Sequence, residues 1–442
     1  MENRLHISQL QIGMFVTELD RPWLDTPFLL QGFLIENGAQ LDELSQYCQY
    51  VTIDLARSVG GPFHWNNFAV QPVGNPEDKL DISRHPPEEQ ERLSILLALR
   101  EMFSSARMRR DEDAPPSAPR IVIYEESAPV EQEISAARSV HDATQSLVSE
   151  LMTSAREDTQ PHSEEVNEAV STMVDSIIRN PNALLWLSQM KDRDSYSYSH
   201  AIDSSIYLLA FGRELGFPRE DLHKLGFAGL MLDIGKMRLP NELLTHTGRY
   251  TPGEFMLMKT HVQHSLDILG QMDDVPMDVF DMVARHHERY DGSGYPYGLK
   301  GESLGIFGSM ASIVDCFTAI TSDRAYSAAK SPHEALQLLY KWSDRFFHPV
   351  LVEQFAQCVG VFPVGTLVEL TSSDIAIVVG QNYTRRLKPK VMTLLGPDHQ
   401  AHAKPLILDL ITDPPGPGDQ PITVRRVLPR GSFGIDPREY FL

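Results

Sequence analysis

Residues 286–296 read HHERYDGSGYP, and this stretch decides the fold. Two adjacent histidines close a segment, VPMDVFDMVAR, whose apolar residues recur at helical spacing. A glycine-rich loop follows at once. Outward from it lie His200, Asp233 and His261 on one side and Asp315 on the other, each in its own helical segment. Imidazole and carboxylate donors drawn from several helices suit divalent metals in a hydrolytic site. Taken singly, a helical histidine is more often a hydrogen-bonded structural residue, and an aspartate near a helix end more often a cap. The ordered set is harder to dismiss. Asp233 and Asp315 stand in apolar stretches, GLMLDIGK and IVDCFTAITS, where a carboxylate is costly unless paired or metal-bound. Lys236 follows Asp233 by one turn and is expected on the same helix face. Carboxylate, metal and ammonium together are what phosphate-ester hydrolysis needs.

The helical pattern runs from about Val130 to about Val359. Roughly eight helices with short loops are expected, an all-α domain over residues 130–360 with its motif core at 190–330. Ser163 reads as an N-cap followed by Glu164 and Glu165, and Asn180-Pro181 reads as a stop. Residues 1–126 read as a β-rich domain with a connector. LQIGMFVTEL, PFLLQGFLI and YVTIDL suggest short strands, LDELSQYC a helix, and Trp23 and Phe28 core or interface residues. A polar, Pro-rich connector spans about 69–118, interrupted by the helical SILLALREMFSSARM, and IVIYEE at 121–126 could add a strand. Beyond residue 361, PVGTLVELTSSDIAIVVGQN reads as a hairpin turning at Ser372-Ser373-Asp374. VMTLL and LILDLI could add strands, and TDPPGPGDQP onward reads as irregular. The expected class is therefore multidomain: an all-α helical bundle flanked by a small N-terminal β-rich (α+β) domain and a β-rich C-terminal extension.

The chain has 442 residues, 42% of them hydrophobic, with 39 basic against 60 acidic residues and a net charge of -21. That balance disfavours non-specific binding to nucleic-acid polymers or anionic lipid. Cys48, Cys316 and Cys358 are far apart and form no CxxC pair, which fits a reduced, cytoplasmic compartment. The N-terminus lacks the basic start and apolar core of a signal peptide, and no apolar run reads as the ~20 residues of a membrane span, so no membrane insertion is expected.

The ordered residues resemble the HD-GYP family of metal phosphohydrolases. HHE-x-x-DG-x-GYP followed by AITSDRAY carries the likeness, which covers about residues 135–345. The stretch GMFVTELDRPWLDTPFLLQGF is similar to an uncharacterised domain that often precedes HD-GYP in bacteria. The resemblance implies an all-α bundle that hydrolyses cyclic di-GMP to pGpG and often on to GMP, using two, sometimes three, divalent metal ions, iron or manganese. It implies His200, Asp233, His261, His286, His287 and Asp315 as ligands, with Asp233 bridging two metals. Asp233 and Lys236 would be the catalytic pair, Lys236 touching the phosphate or assisting proton transfer. Gly294, Tyr295 and Pro296 would form the loop that closes on substrate, and Arg324 would face a phosphate or guanine. Cyclic di-GMP is the implied partner, with a homodimer or a signalling protein as further partners of the family's regulated members.

Four departures stand out. Leu232 occupies the position of the histidine that names the family. Tyr196 replaces the Glu of trimetal members, so no third metal of that type is expected. Arg324-Ala325-Tyr326-Ser327 replaces the usual R-P-Y-R/K, and Thr318 replaces the second Asp of D-x-x-D-A. Six of seven expected ligands are kept. Three functions follow: a working phosphodiesterase, a degenerate member that binds cyclic di-GMP or a protein without turnover, and a phosphohydrolase acting on another nucleotide.

Overall fold

A computed structural model of the chain describes residues 2–20, 33–35, 38–54, 121–189, 196–322, 329–382, 385, 387–402, 405–416, 418, 420–429 and 431–435. It divides into two compact units, Met1–Ser104 and Ser105–Leu442.

In the first unit β1 (Glu2–His6), β2 (Phe15–Leu19), β3 (Phe33–Leu34) and β4 (Tyr50–Asp54) form an antiparallel sheet in the order β1-β4-β2-β3. Val51 and Ile53 alternate inward along β4, the period of two that a half-buried strand requires. They pack with Val16, Ile35 and with Leu44 of α1 (Gly38–Tyr47), the helix expected at LDELSQYC. Trp23, Phe28 and the connector at 69–118 lie outside the described residues.

The second unit is mostly helical. Twelve helices follow one another among the described residues: α2 (Val130–Glu157), α3 (Ser163–Arg179), α4 (Pro181–Gln189), α5 (Tyr196–Glu214), α6 (Arg219–Met231), the single turn α7 (Asn241–Leu244), α8 (Pro252–Lys259), α9 (His261–Leu269), α10 (Met277–Arg285), α11 (Gly305–Thr321), α12 (Pro332–Trp342) and α13 (Pro349–Val359). More helices appear than the periodicity separates, because prolines open helices as well as end them. Asn180 does terminate α3, but Pro181 is the first residue of α4, where its missing N–H is not needed. Ser163 is inside α3, and His162 holds the cap position without a side-chain bond. Residues 121–126 form no strand. They lie on the helical unit, with Val122 N donating to Gly216 O at 2.9 Å and Tyr124 Oη to Phe217 O at 3.0 Å. That anchorage on the α5–α6 turn overrides their β propensity.

Two close backbone approaches set the site. A Cβ on Gly229 in α6 would lie 2.4 Å from Ser205 Cα in α5. A Cβ on Gly235 would lie 2.1 Å from His261 O. Glycine at both positions lets α5 and α9 press against the segment that carries Asp233. The stretch Gly301–Thr321 is long and apolar enough to cross a membrane, yet 61% of its 18-residue apolar window is buried in the bundle.

The C-terminal part is a five-stranded antiparallel sheet of β5 (Leu367–Leu370), β6 (Ile375–Gly380), β7 (Lys390–Leu395), β8 (Ile407–Asp409) and β9 (Val424–Val427), in the order β8-β7-β6-β5-β9. The hairpin turns where expected, with Ser373 at φ 67°. The final segment is less irregular than its composition suggests. β9 pairs with β5, and Glu369 on β5 accepts Arg426 Nε at 2.7 Å and Arg425 Nη1 at 3.2 Å. Cross-strand charge pairing of this kind is invisible to a local reading.

Candidate metal centre

The six residues singled out by spacing converge. His200 comes from α5, His261 opens α9, His286 and His287 follow the end of α10, and Asp315 is in α11. Asp233 is not inside a helix. α6 ends at Met231, and Asp233 heads a 3-10 turn over Ile234–Arg238. In that tighter turn residues three apart eclipse, so Lys236 still meets Asp233, with Nζ 2.5 Å from Oδ2.

Two donor sets share Asp233. One is Asp233, His261, His286 and His287; the other is His200, Asp233 and Asp315. His200 Nε2 lies 3.1 Å from Asp315 Oδ1 and 3.3 Å from Asp233 Oδ2. Asp233 Oδ1 lies 3.3 Å from His261 Nε2 and 3.7 Å from His286 Nε2. His287 spans the sets, with Nε2 3.1 Å from His261 Nε2 and Nδ1 3.6 Å from Asp315 Oδ2. All but His287 are at least nine-tenths buried.

The tautomers are set from outside. His261 Nδ1 donates to Met258 O at 2.6 Å, and His286 Nδ1 donates to Val283 O at 2.7 Å. A carbonyl only accepts, so Nδ1 carries the proton and each neutral imidazole turns a bare Nε2 inward. Those two Nε2 atoms are 3.4 Å apart, and the Asp233 Oδ1 beside them is buried and accepts no hydrogen bond among the described residues. Lone pairs facing lone pairs in a buried space are unfavourable without a cation between them. The residues therefore fit a divalent metal on chemistry as well as on position.

Charge is arranged accordingly. Burial alone would raise the Asp233 carboxyl, but the Lys236 ammonium and then His200 hold it well below the usual range. Burial likewise opposes ionisation of Asp315, which the His200 hydrogen bond and the neighbouring His287 overcome. Burial lowers His261, and lowers His287 further with the adjacent His286. Metals bind neutral imidazole and ionised carboxylate, the forms these four shifts favour; His200, set between Asp233 and Asp315, is raised instead because those carboxylates outweigh its burial.

The loop after His287 is tied down by a residue whose role the motif does not advertise. Glu288 is fully buried, and its carboxylate accepts Tyr297 N at 2.6 Å, Gly298 N at 3.1 Å and Leu299 N at 3.0 Å. Its signal in sequence is an acidic residue directly after a helix end and before three glycines. Gly294 is needed for contact, since a Cβ there would lie 2.4 Å from Glu288 Cα. Tyr295 N donates to His287 O at 3.2 Å, and its ring tilts over the His287 ring at 4.7 Å. Burial raises the Tyr295 phenol, which stays protonated. Pro296 is exposed beside it, after a cis peptide bond.

The departures are partly visible. Leu232 is buried and its carbonyl accepts Ser265 Oγ at 3.1 Å, while the same Oγ accepts Gly235 N at 2.9 Å. Ser265 thus ties the Asp233 turn to α9. Thr318 donates to Val314 O at 2.9 Å within α11 and contacts Ser204 Oγ of α5 at 3.2 Å, holding the two helices together. Residues 324–327, Arg324 included, lie outside the described residues, as does the side chain of Tyr196.

An HD domain model matches residues 182–350, which contain every donor above, and a domain of unknown function matches residues 2–166. The chain is 30% identical to "Cyclic di-GMP phosphodiesterase PA4108" of Pseudomonas aeruginosa, over 93% of this chain and 89% of that protein. It is 32% identical to a "Cyclic di-GMP phosphodiesterase" of Thermotoga maritima over 38% of this chain and 46% of the other. It is 29% identical to "3'3'-cGAMP-specific phosphodiesterase 2" of Vibrio cholerae over 35% of this chain and 30% of the other. The first likeness runs through nearly the whole of both proteins, so the chain belongs to the HD-GYP family of HD-domain proteins, with Leu232 in place of that family's name-giving histidine.

Proposed function

We propose that this chain is a metal-dependent phosphodiesterase that opens cyclic di-GMP to pGpG and on to GMP. The observation that carries the reading is the shared carboxylate. Asp233 belongs to both donor sets, within reach of His261 and His286 through one oxygen and of His200 through the other. Two divalent cations, iron or manganese, would supply Lewis acidity and a water ionised near neutral pH.

The chain's own residues do the rest. Asp233, His261, His286 and His287 would hold one ion, and His200, Asp233 and Asp315 the other. Three protein donors with an open position are what catalytic metal sites keep, so the leucine at 232 is compatible with turnover. Lys236, held against Asp233, would neutralise charge growing on the phosphate oxygens. Tyr295 over His287 would close the site against bulk water, on a loop kept in place by Glu288. A cytoplasmic setting accords with three cysteines that form no disulfide.

Leu232, and Arg324-Ala325-Tyr326-Ser327 in place of R-P-Y-R/K, favour a non-catalytic receptor. The test is hydrolysis of cyclic di-GMP by the iron- or manganese-loaded chain beside its Asp233→Ala variant. Product from the first and none from the second supports the enzyme. Binding without product in either supports the receptor.

A further inference from the structure

α8 stands at the rim of the metal centre and none of its eight residues is buried. Phe255, Met256 and Leu257 expose 44%, 63% and 42% of their surface. Large apolar side chains clustered in water on one short helix have no folding reason to be there. The helix is fixed at its ends instead. Thr251 and Glu254 form a reciprocal capping box at its start, and near its end Met258 O accepts the Nδ1 proton of His261. α8 is thus tied directly to a residue of the four-donor set.

Rings step outward from that set. Tyr295 lies over His287 at 4.7 Å, and Phe255 meets Tyr295 edge-on at 6.1 Å. Lys259 Nζ stands 4.7 Å from the Phe255 centroid and 4.9 Å from that of Tyr295. We propose that Phe255 and Lys259 form the subsite for one guanine base of the substrate, the exposed ring of Phe255 stacking on the base and the Lys259 ammonium donating to its O6 and N7.

The proposal rests on the phosphodiesterase reading. A phosphodiester at the metal centre carries nucleosides whose bases must be received nearby, and Phe255 is two ring contacts from His287. An exposed aromatic stacks on any base, because every base has a π face. The ammonium supplies the choice. Guanine offers two acceptors on that edge, whereas adenine offers one acceptor and one donor. A cation already resting against both rings is placed to make that choice with little rearrangement.

The test uses the full, metal-loaded chain and measures both calorimetric Kd and steady-state hydrolysis for cyclic di-GMP and cyclic di-AMP. Phe255→Ala is expected to raise Kd and KM for both dinucleotides by about tenfold, with kcat changed far less, and Phe255→Trp is expected to restore them. Lys259→Met is expected to narrow the guanine-over-adenine preference by about tenfold. The subsite is overturned if Phe255→Ala lowers kcat alone, since the ring then only positions Tyr295. It is also overturned if Lys259→Met leaves the preference unchanged. A wild type that binds cyclic di-GMP without cleaving it refutes the phosphodiesterase reading, and the Kd comparison then judges the subsite by itself. A wild type that neither binds nor cleaves overturns both.

Discussion

Asp233 Oδ1 and His261 Nε2 lie 3.3 Å apart with no proton between them, because the imidazole proton is on the other nitrogen, committed to Met258 O. A carboxylate and an imidazole normally meet by sharing a proton. Here each offers a lone pair, and the Nε2 of His286 is 3.4 Å away from that of His261, facing the same space. A cation reconciles the three.

Replacing the shared carboxylate should remove both functions of the site. Asp233→Asn keeps the volume but loses the charge that both donor sets use. Metal content measured by elemental analysis should fall from two ions per chain to at most one. Turnover should fall by at least about a hundredfold, the upper end of what a lost supporting group costs. Retention of both ions would show that Asp233 does not join the sets.

Leu232→His should strengthen metal binding. The three-donor set of His200, Asp233 and Asp315 has room in its coordination for a fourth ligand. Chelator competition should show the weaker ion held about tenfold more tightly or better. If affinity for neither ion changes, an imidazole at 232 does not reach the site.

Glu288→Gln should loosen the substrate loop without touching a donor. The carboxylate accepts three backbone N–H groups while fully buried, and an amide can accept through only one oxygen. A loss of about 2–4 kcal/mol is expected from charge-assisted bonds broken in a buried place. Thermal melting of the metal-loaded protein reads the stability, and proteolytic nicking within residues 291–300 reads the loop. An unshifted melt with an unchanged cleavage pattern would remove Glu288 from the account.

Acid should destabilise the fold partly through His348, which is 5% exposed ahead of α13 and set edge-on to Tyr290 at 5.3 Å. Burial lowers its pKa below the ordinary value near 6.5, against the pull of Glu302 and Asp344. The unfolded chain therefore binds the proton first. Stability is full above the unfolded value and declines as pH falls through about 6.5, by up to about 1.4 kcal/mol per pH unit for this one proton. His348→Asn, a side chain suited to the cap position, should flatten the fall in melting temperature between pH 7.5 and 5.5. An equal slope in the variant would show that His348 does not titrate in that window.

How much of this was legible beforehand depended on whether a residue acts locally or across the fold. The six donors stood out because histidine and aspartate in apolar helical stretches are costly, and the structure brings all six together. Lys236 meets Asp233 as its spacing predicts although the intervening turn is 3-10 rather than α, since both geometries bring residues three apart together. Glu288 shows no role within its motif, because its three partners are reached only after the chain doubles back. β9 gives no local signal for a similar reason: Val-Arg-Arg-Val is too short to read as a strand until Glu369 lies opposite. The segment 121–126 carries β propensity but finds a helical turn rather than a strand as its neighbour. Arg324, expected at the substrate, falls among residues that are not described.

The most direct measurement is the fate of cyclic di-GMP incubated with the full chain loaded anaerobically with ferrous iron, and separately with manganese, with products resolved by chromatography. The account predicts pGpG, followed by GMP, at a rate that vanishes on chelation and in Asp233→Ala. Intact cyclic di-GMP after both loadings, with two ions bound per chain, would contradict it.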